Sequence, residues 1–281
     1  MNLKLEKVIV SILFYAMVIL IFVVTVFPFY WALNSSFKTE SEIINPATYI
    51  PKDPTSINYE AVFSNPEFMV GMKNSAIVSS ISVVLALVVG SFAAYALGRI
   101  RFRGRTALLY LVLAMTMFPT ISILSGLWAI VNELGLYNTI GSLILTYPIF
   151  TLPFTAWVLV SFFKGLPDEL EQAALVDGAS PFQTFRLILL PLTAPALVTT
   201  GLLAFINAWN EYLLARNFTI LNPDARTVPV AIANFSGTIS RQEPIAEVMA
   251  AAVVVTVPLI ILVLIFQKRI VSGLTAGAVK G

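Results

Sequence analysis

The sequence predicts an all-α integral membrane protein with six transmembrane helices and a cytoplasmic helix-turn-helix. Three observations predict it. Of the 281 residues 58% are hydrophobic and 11% are charged, whereas an ordinary soluble domain carries about 25% charged residues. Six apolar runs are each long enough for a bilayer core of ~30 Å, which takes about 20 residues of helix. One short polar insert between the fourth and fifth runs carries helix start and stop signals of its own.

The runs are Val8 to Leu33, Met72 to Leu97, Thr106 to Val131, Thr139 to Phe163, Pro191 to Ala215 and Ile245 to Phe266. The first follows Lys4 and Lys7, as a secretory signal would. It exceeds the ~7–15-residue core of such signals and no Ala-x-Ala-like site follows it, so it is read as a retained helix. Lys and Arg accumulate on cytoplasmic segments near helix ends. With both termini inside, 11 of the 17 Lys and Arg fall on the inner face. The loop Arg99-Ile-Arg-Phe-Arg-Gly-Arg105 decides most of this, and its arginines are expected to orient the spans and meet anionic lipid.

Outside, Asn34 to Gly71 contains Pro46, Pro51, Pro54 and Pro66, a composition of turns and short helices. Arg216 to Pro244 is the second sizeable outer loop, with a turn at Asn222-Pro223-Asp224. Asn132 to Asn138 is a tight connection. No internal repeat is evident.

The polar insert, Lys164 to Leu190, reads as two short helices. Pro167 suits a first helical turn, and Asp168, Glu169 and Glu171 sit where the helix dipole favours negative charge. Gly178 ends that helix as a left-handed cap. At ~1.5 Å per residue the rod is roughly 16 Å long, too short and too acidic to cross a bilayer. It is therefore expected to lie along the cytoplasmic face. Leu166, Leu170, Ala173 and Ala174 fall on one side of it. Ser180, Pro181 and Gln183 then form a capping box for a second helix bearing Phe182, Phe185, Ile188 and Leu189, which runs until Pro191 opens the next span.

The order Ala173-Ala174, Gly178, Ile188-x-Leu190-Pro191 resembles the cytoplasmic signature of permease subunits in bacterial ATP-binding cassette (ABC) importers. The residue before the paired alanines is usually Glu in that family. Here it is Gln172, with Glu171 just before it. The resemblance extends from about Gly71 to the C-terminus. Asn207-Ala-Trp-Asn-Glu-Tyr212 looks like the end of the fifth helix in sugar permeases, and the tail from Ser272 to Gly281 looks like that of the maltose/trehalose-type subunit.

The resemblance implies the type I ABC importer permease fold in the bacterial cytoplasmic (inner) membrane. It divides the chain into an N-terminal helix and outer loop (1–70), a permease core (71–270) and a cytoplasmic tail (271–281). It implies a second homologous permease, two copies of an ATPase, an extracytoplasmic sugar-binding protein, and a sugar such as trehalose or maltose. Coupling to the ATPase would run through Glu171, Gln172, Ala173, Ala174, Asp177, Gly178 and Pro191, with Lys280 and the tail reaching the ATPase pair. The two long outer loops would receive the binding protein.

The residues support this division of labour independently. The chain has no Cys and no His, which removes thiolate metal sites and the commonest general base and metal ligand. No metal, cofactor or nucleic acid is expected, and the chain is read as a transport subunit rather than an enzyme. A phosphate-cradling loop needs a Gly-Lys pair, and none occurs. Energy would come from a partner or an ion gradient, and ion coupling usually leaves ionisable groups in mid-span. Glu211 is the nearest candidate, with Asn207 and Asn210. They are read as sugar contacts on the substrate pathway, as interhelical hydrogen-bonding groups, or, for Glu211, as a carboxylate exposed at a helix end. Ser75, Ser79, Ser80, Ser82, Gly90 and Ser91 form a small-residue packing face. Pro119, Pro148 and Pro153 either kink their spans or break them along a pathway. The rivals are an ion-coupled secondary transporter, or an ABC permease for another solute such as glycerol phosphate or an oligosaccharide.

Overall fold

A computed structural model describes residues 3–44, 48–235 and 244–278. Lys280 and Arg241 lie outside the described residues, as do the side chains of the C-terminal tail. Every regular element among the described residues is helical. In chain order these are α1 (Leu3–Ser36), α2 (Glu40–Ile44), α3 (Ile57–Ser64), α4 (Pro66–Arg99), α5 (Arg105–Thr116), α6 (Thr120–Glu133), α7 (Ile140–Gly165) and α8 (Glu169–Val176). They continue as α9 (Pro181–Thr184), a π-helical turn (Phe185–Leu189), α10 (Leu190–Leu192), α11 (Ala194–Trp209), α12 (Leu213–Phe218), a 3₁₀ turn (Pro223–Ala225), α13 (Val228–Ala233) and α14 (Ile245–Ala278).

Four helices are long and apolar enough to cross a membrane: Lys7–Ser36, Pro66–Arg99, Ile140–Gly165 and Ile245–Gln267. Two more spans are bent pairs. α5 and α6 meet at 97°, and Pro181–Leu192 meets α11 at 73°. With each pair counted as one span, the total is the six that hydropathy predicts. The third run is thus broken at Pro119, which takes an extended ψ of 124° and starts α6 as its cap. Pro148 and Pro153, by contrast, stay inside the continuous α7.

The chain forms two compact units. The first comprises residues 1–65 and 234–256. Its α1 exposes apolar side chains such as Leu13, Phe22 and Phe29 around the helix, the pattern of a span whose solvent is lipid. After α1, Lys38 is 2% exposed. Its Nζ donates to the Thr48 carbonyl at 2.5 Å and lies 4.8 Å from the Trp31 ring, so a buried ammonium is both hydrogen-bonded and seated on a π face. Asn58 Nδ2 donates to the carbonyls of Ser36 (2.9 Å) and Lys38 (2.8 Å). This stretch contains the turns and short helices expected of it.

The second unit comprises residues 66–233 and 257–281. α4 packs along α7, with α11 against both. Small residues permit the approach. Ser75, Ser79, Ser82, Gly90 and Ser91 are all buried on α4, while Ser80 faces outward. A Cβ at Gly90 would stand 2.9 Å from Thr155 Cγ2, and one at Gly98 3.1 Å from Phe163 Cβ. The core is Val78, Leu143, Tyr147, Leu214 and Phe218 toward one end of this bundle and Ala94, Leu159, Phe163, Phe185 and Leu189 toward the other.

Candidate functional site

Two places in the second unit hold the residues singled out by sequence. The first is the insert after α7. Asp168 is the N-cap position of α8, so Pro167 stands just outside the helix rather than in its first turn. Glu169 and Glu171 occupy the first turn as the dipole favours. Gly178 has φ +80°. Its N–H donates to the Leu175 carbonyl at 3.1 Å, and the Ala179 N–H donates to the Ala174 carbonyl at 2.9 Å. That pair of bonds satisfies carbonyls α8 leaves open and requires a residue at ease in the left-handed region.

The capping box also forms. Ser180 Oγ accepts from the Gln183 N–H (3.3 Å) and Gln183 Oε1 accepts from the Ser180 N–H (2.7 Å). The chain then winds through the π turn, where the Leu190 N–H donates back to Phe185 O. Pro191 lies two residues short of the break at Thr193, and the long helix opens at Ala194, not at Pro191. A ring at 191 has no N–H for the helical ladder, which accounts for the local rewinding. Phe185, 3% exposed, anchors this turn, with ring centroids 5.1 Å from Phe92 and 5.0 Å from Tyr95.

α8 has two faces. Ala174 is buried, and Leu166 and Leu170 are half-buried. Ala173 does not join them. It lies on the open face with Gln172, Leu175 and Val176, and Asp177 is exposed at the C-cap. Leu175 is 59% and Val176 89% exposed. α8 thus presents an open aliphatic pair on the side away from Ala174. The sequence reading missed these two residues, although helical spacing places them opposite Leu170 and Ala174.

The arginine loop is also more than a topological signal. The Arg99 side chain is 6% exposed and pairs with Asp168 at 2.9 Å and Glu171 at 2.6 Å. Arg105 donates from Nε to the Leu97 carbonyl (2.7 Å) and from Nη2 to the Gly98 carbonyl (2.5 Å), closing the C-terminus of α4. Arg101 and Arg103 are exposed, as lipid- or solvent-facing arginines would be.

The second place is a cavity of about 220 Å³. Thr120 at the start of α6, Tyr147, Phe150 and Phe154 of α7, Asn207 of α11 and Glu211 line it, so the space lies beside the break before α6 and the turn between α11 and α12. Glu211 accepts at Oε1 from the Leu214 N–H (2.7 Å) and at Oε2 from the Ala215 N–H (3.0 Å). It thereby caps α12, a role sequence reasoning did not assign. Asn210 lies outside this lining, and its amide donates to the Ile206 carbonyl of its own helix at 2.9 Å. Among the described residues no group of His, Cys, Asp or Glu is placed to hold a metal.

Comparison with known proteins settles the family. Residues 86–275 match the model for the binding-protein-dependent transport system inner membrane component. The chain belongs to that family. This transport-system membrane component is 44% identical over 254 residues, 90% of its length and 92% of the relative's, to the trehalose transport system permease protein SugB of Mycobacterium tuberculosis. It is 43% identical over 278 residues, 98% and 99% of the two chains, to the trehalose/maltose transport system permease protein MalG of Thermococcus litoralis. The sulfoquinovosyl glycerol transport system permease protein SmoH of Agrobacterium fabrum is 41% identical over 91% of this chain and 89% of its own. Its fold is that of a bacterial ABC transporter involved in importing alginate, with a TM-score of 0.80 at 20% identity over 94% of this chain and 97% of that one. The membrane component is thus a multi-pass, type I ABC importer permease.

Proposed function

We propose that this chain is half of the translocation pathway of an ATP-driven importer for a neutral disaccharide of the trehalose and maltose class. The observation that carries the substrate class is similarity running nearly end to end with two permeases named for those sugars. The cavity chemistry agrees with it. Its one acidic or basic lining residue is Glu211, whose carboxylate would repel an anionic sugar and can accept from hydroxyls. Phe150 and Phe154 offer apolar faces to ring C–H groups. Asn207 and Glu211 therefore border the pathway, and Asn210 supports its helix.

The remaining parts follow the same reading. Both termini and the Arg99–Arg105 loop lie in the cytoplasm, as the excess of Lys and Arg there requires. Residues 1–70 form the peripheral helix with its outer loop, 71–270 the permease core and 271–281 a cytoplasmic tail. A second, homologous permease completes the pathway. Two copies of a separate ATPase dock below it, and an extracytoplasmic sugar-binding protein delivers substrate to the outer loops. α8 enters a cleft on the ATPase with Gln172, Ala173, Leu175 and Val176 foremost. The Ala174 contact, the Asp177–Gly178 cap and the Pro191 turn hold it in place behind, and Glu171 orients it. Closure of the ATPase pair on ATP moves α8 and, with it, the attached spans. The direct test is uptake of labelled trehalose, maltose and sulfoquinovosyl glycerol into proteoliposomes holding the full complex. Uptake of a neutral disaccharide that needs both binding protein and internal ATP is expected. Uptake driven by an ion gradient without ATP, or of the anionic solute alone, contradicts the reading.

A further inference from the structure

The joint between α7 and α8 should be a swivel. Only Leu166, Pro167 and Asp168 separate the two helices, and Leu166 is extended at φ −74°, ψ 142°. Gly165 precedes it and the last carbonyls of α7 lack helical partners; Pro167 fixes its own φ and holds Leu166 extended, which leaves the dihedrals of Gly165 and Asp168 and the ψ of Pro167 to set the angle.

One side chain from elsewhere fills that joint. Arg99, the last residue of α4, sends Nε to Glu171 Oε1 at 2.6 Å. Its Nη1 donates to the carbonyls of Leu166 (2.8 Å) and Phe163 (3.4 Å), its Nη2 donates to the Pro167 carbonyl (3.3 Å), and Asp168 Oδ1 forms an ion pair with Nη2 at 2.9 Å. A guanidinium presents its N–H donors in a fixed plane, and here four hydrogen bonds and one ion pair engage all three of its nitrogens. The charge stands between the negative end of α7 and the acidic first turn of α8, so the α7 dipole and both carboxylates favour it, and the carboxylates offset the positive end of the α8 dipole. The Arg99 side chain is 6% exposed, and of its two carboxylate partners Glu171 is 27% and Asp168 70% exposed, so the Glu171 contact is screened less by water and salt than the Asp168 one. Behind it the backbones are close. A Cβ at Gly98 would stand 3.1 Å from Phe163 Cβ and 3.5 Å from the Val160 carbonyl.

We infer that Arg99 is a positioning residue for energy coupling: it locks the α7–α8 joint to the end of α4, so that force on α8 moves both spans instead of turning the short helix on its tether. This rests on the docking of α8 on the ATPase proposed above. Lysine cannot replace it, having three donors on a flexible stem and no planar fork.

The test is the ratio of sugar imported to ATP hydrolysed by the complete complex in proteoliposomes, for wild type, Arg99→Gln, Arg99→Lys and the exposed Arg103→Gln. In Arg99→Gln the ratio is expected to fall roughly tenfold while the ATPase stays bound and hydrolysis persists, with Arg99→Lys also lowered and Arg103→Gln equal to wild type. A purely structural role would lower assembly, uptake and hydrolysis together and leave the ratio unchanged, and that result overturns the inference. Should Arg99→Gln not fold, the double variant Asp168→Asn, Glu171→Gln keeps the buried cation on its carbonyls and reads the same ratio. A fall supports the lock and a wild-type ratio overturns it. Absence of sugar-stimulated hydrolysis in the wild-type complex is a distinct outcome, which removes the transport reading and this inference with it.

Discussion

Glu67 and Arg226 stand 159 residues apart in sequence, and their side chains meet at 2.6 Å. The pair closes one end of the α4–α7 bundle, where Asn74 Nδ2 also donates to the carbonyls of Asp224 and Arg226, both at 2.8 Å, and Ser75 Oγ accepts from the Val228 N–H at 2.9 Å. Polar residues of α4 thus satisfy the backbone of the segment that follows α12. With the Arg226 side chain 17% and the Glu67 side chain 31% exposed, the pair lies between a surface bridge and a buried one. Arg226→Ala is therefore expected to cost about 1–3 kcal/mol, read as a lower Tm in detergent. Hydrogen exchange should rise in residues 219–228. Unchanged exchange there would show that Asn74 and Ser75 hold the segment alone.

Helix spacing gives a paired prediction. Gly90→Ala pushes a methyl to within 2.9 Å of Thr155 Cγ2 and is expected to destabilise by about 1–3 kcal/mol. Gly126→Ala, in α6 with nothing within 4 Å of the added carbon, should be neutral or gain up to ~1 kcal/mol from helix propensity. Thermal unfolding of both variants in the same detergent separates packing from propensity, and equal shifts would contradict the close approach of α4 and α7.

The cap at Gly178 predicts by side-chain type rather than size. A Cβ there meets nothing within 4 Å, yet φ is +80°. Gly178→Val should cost about 1–2 kcal/mol and fray the end of α8, whereas Gly178→Asn, at ease in the left-handed region, should cost clearly less. Equal losses would place the cause in contact rather than in backbone conformation.

Glu42 predicts a pH response in the first unit. Its carboxylate is held below its ordinary value of 4.5, chiefly by the backbone N–H of Lys52 at 2.8 Å, with help from the Thr48 hydroxyl at 3.0 Å. A carboxyl with a lowered folded pKa stabilises the loop above its unfolded value and loses that contribution as pH falls through the folded one. The Lys52 amide should therefore stay protected at neutral pH and open only below the usual carboxylate range. Glu42→Gln should remove the titration.

Much of the architecture was legible because lipid imposes simple rules. The length of each apolar run, the Ser180–Gln183 box and the Gly178 stop depend on nearby residues alone, and each is present. The bends were less so. Pro119, which is exposed, breaks its span, while the half-buried Pro148 and the buried Pro153 do not, and a sequence does not distinguish the three. The Arg99 joint was illegible for a related reason. Its partners lie 64 to 72 residues away, and an arginine at the end of a span carries the same topological signal whether it faces lipid or fills a joint. Glu211 read as a sugar contact, an interhelical hydrogen-bonding group or an exposed helix end, and the end of α11 at Asn210 places it as a cap for α12. Leu175 and Val176 were available to a helical wheel, and only the burial of Ala174 gives their exposure its meaning.

The central claim is that α8 is the contact through which hydrolysis drives transport. It is tested most directly by sugar-stimulated ATP hydrolysis of the reconstituted complex carrying Val176→Asp. Val176 is 89% exposed, so the variant should fold with a Tm close to wild type. The account predicts that the ATPase dissociates, or that hydrolysis no longer responds to binding protein and sugar. A stable variant with unchanged stimulation and uptake would contradict it.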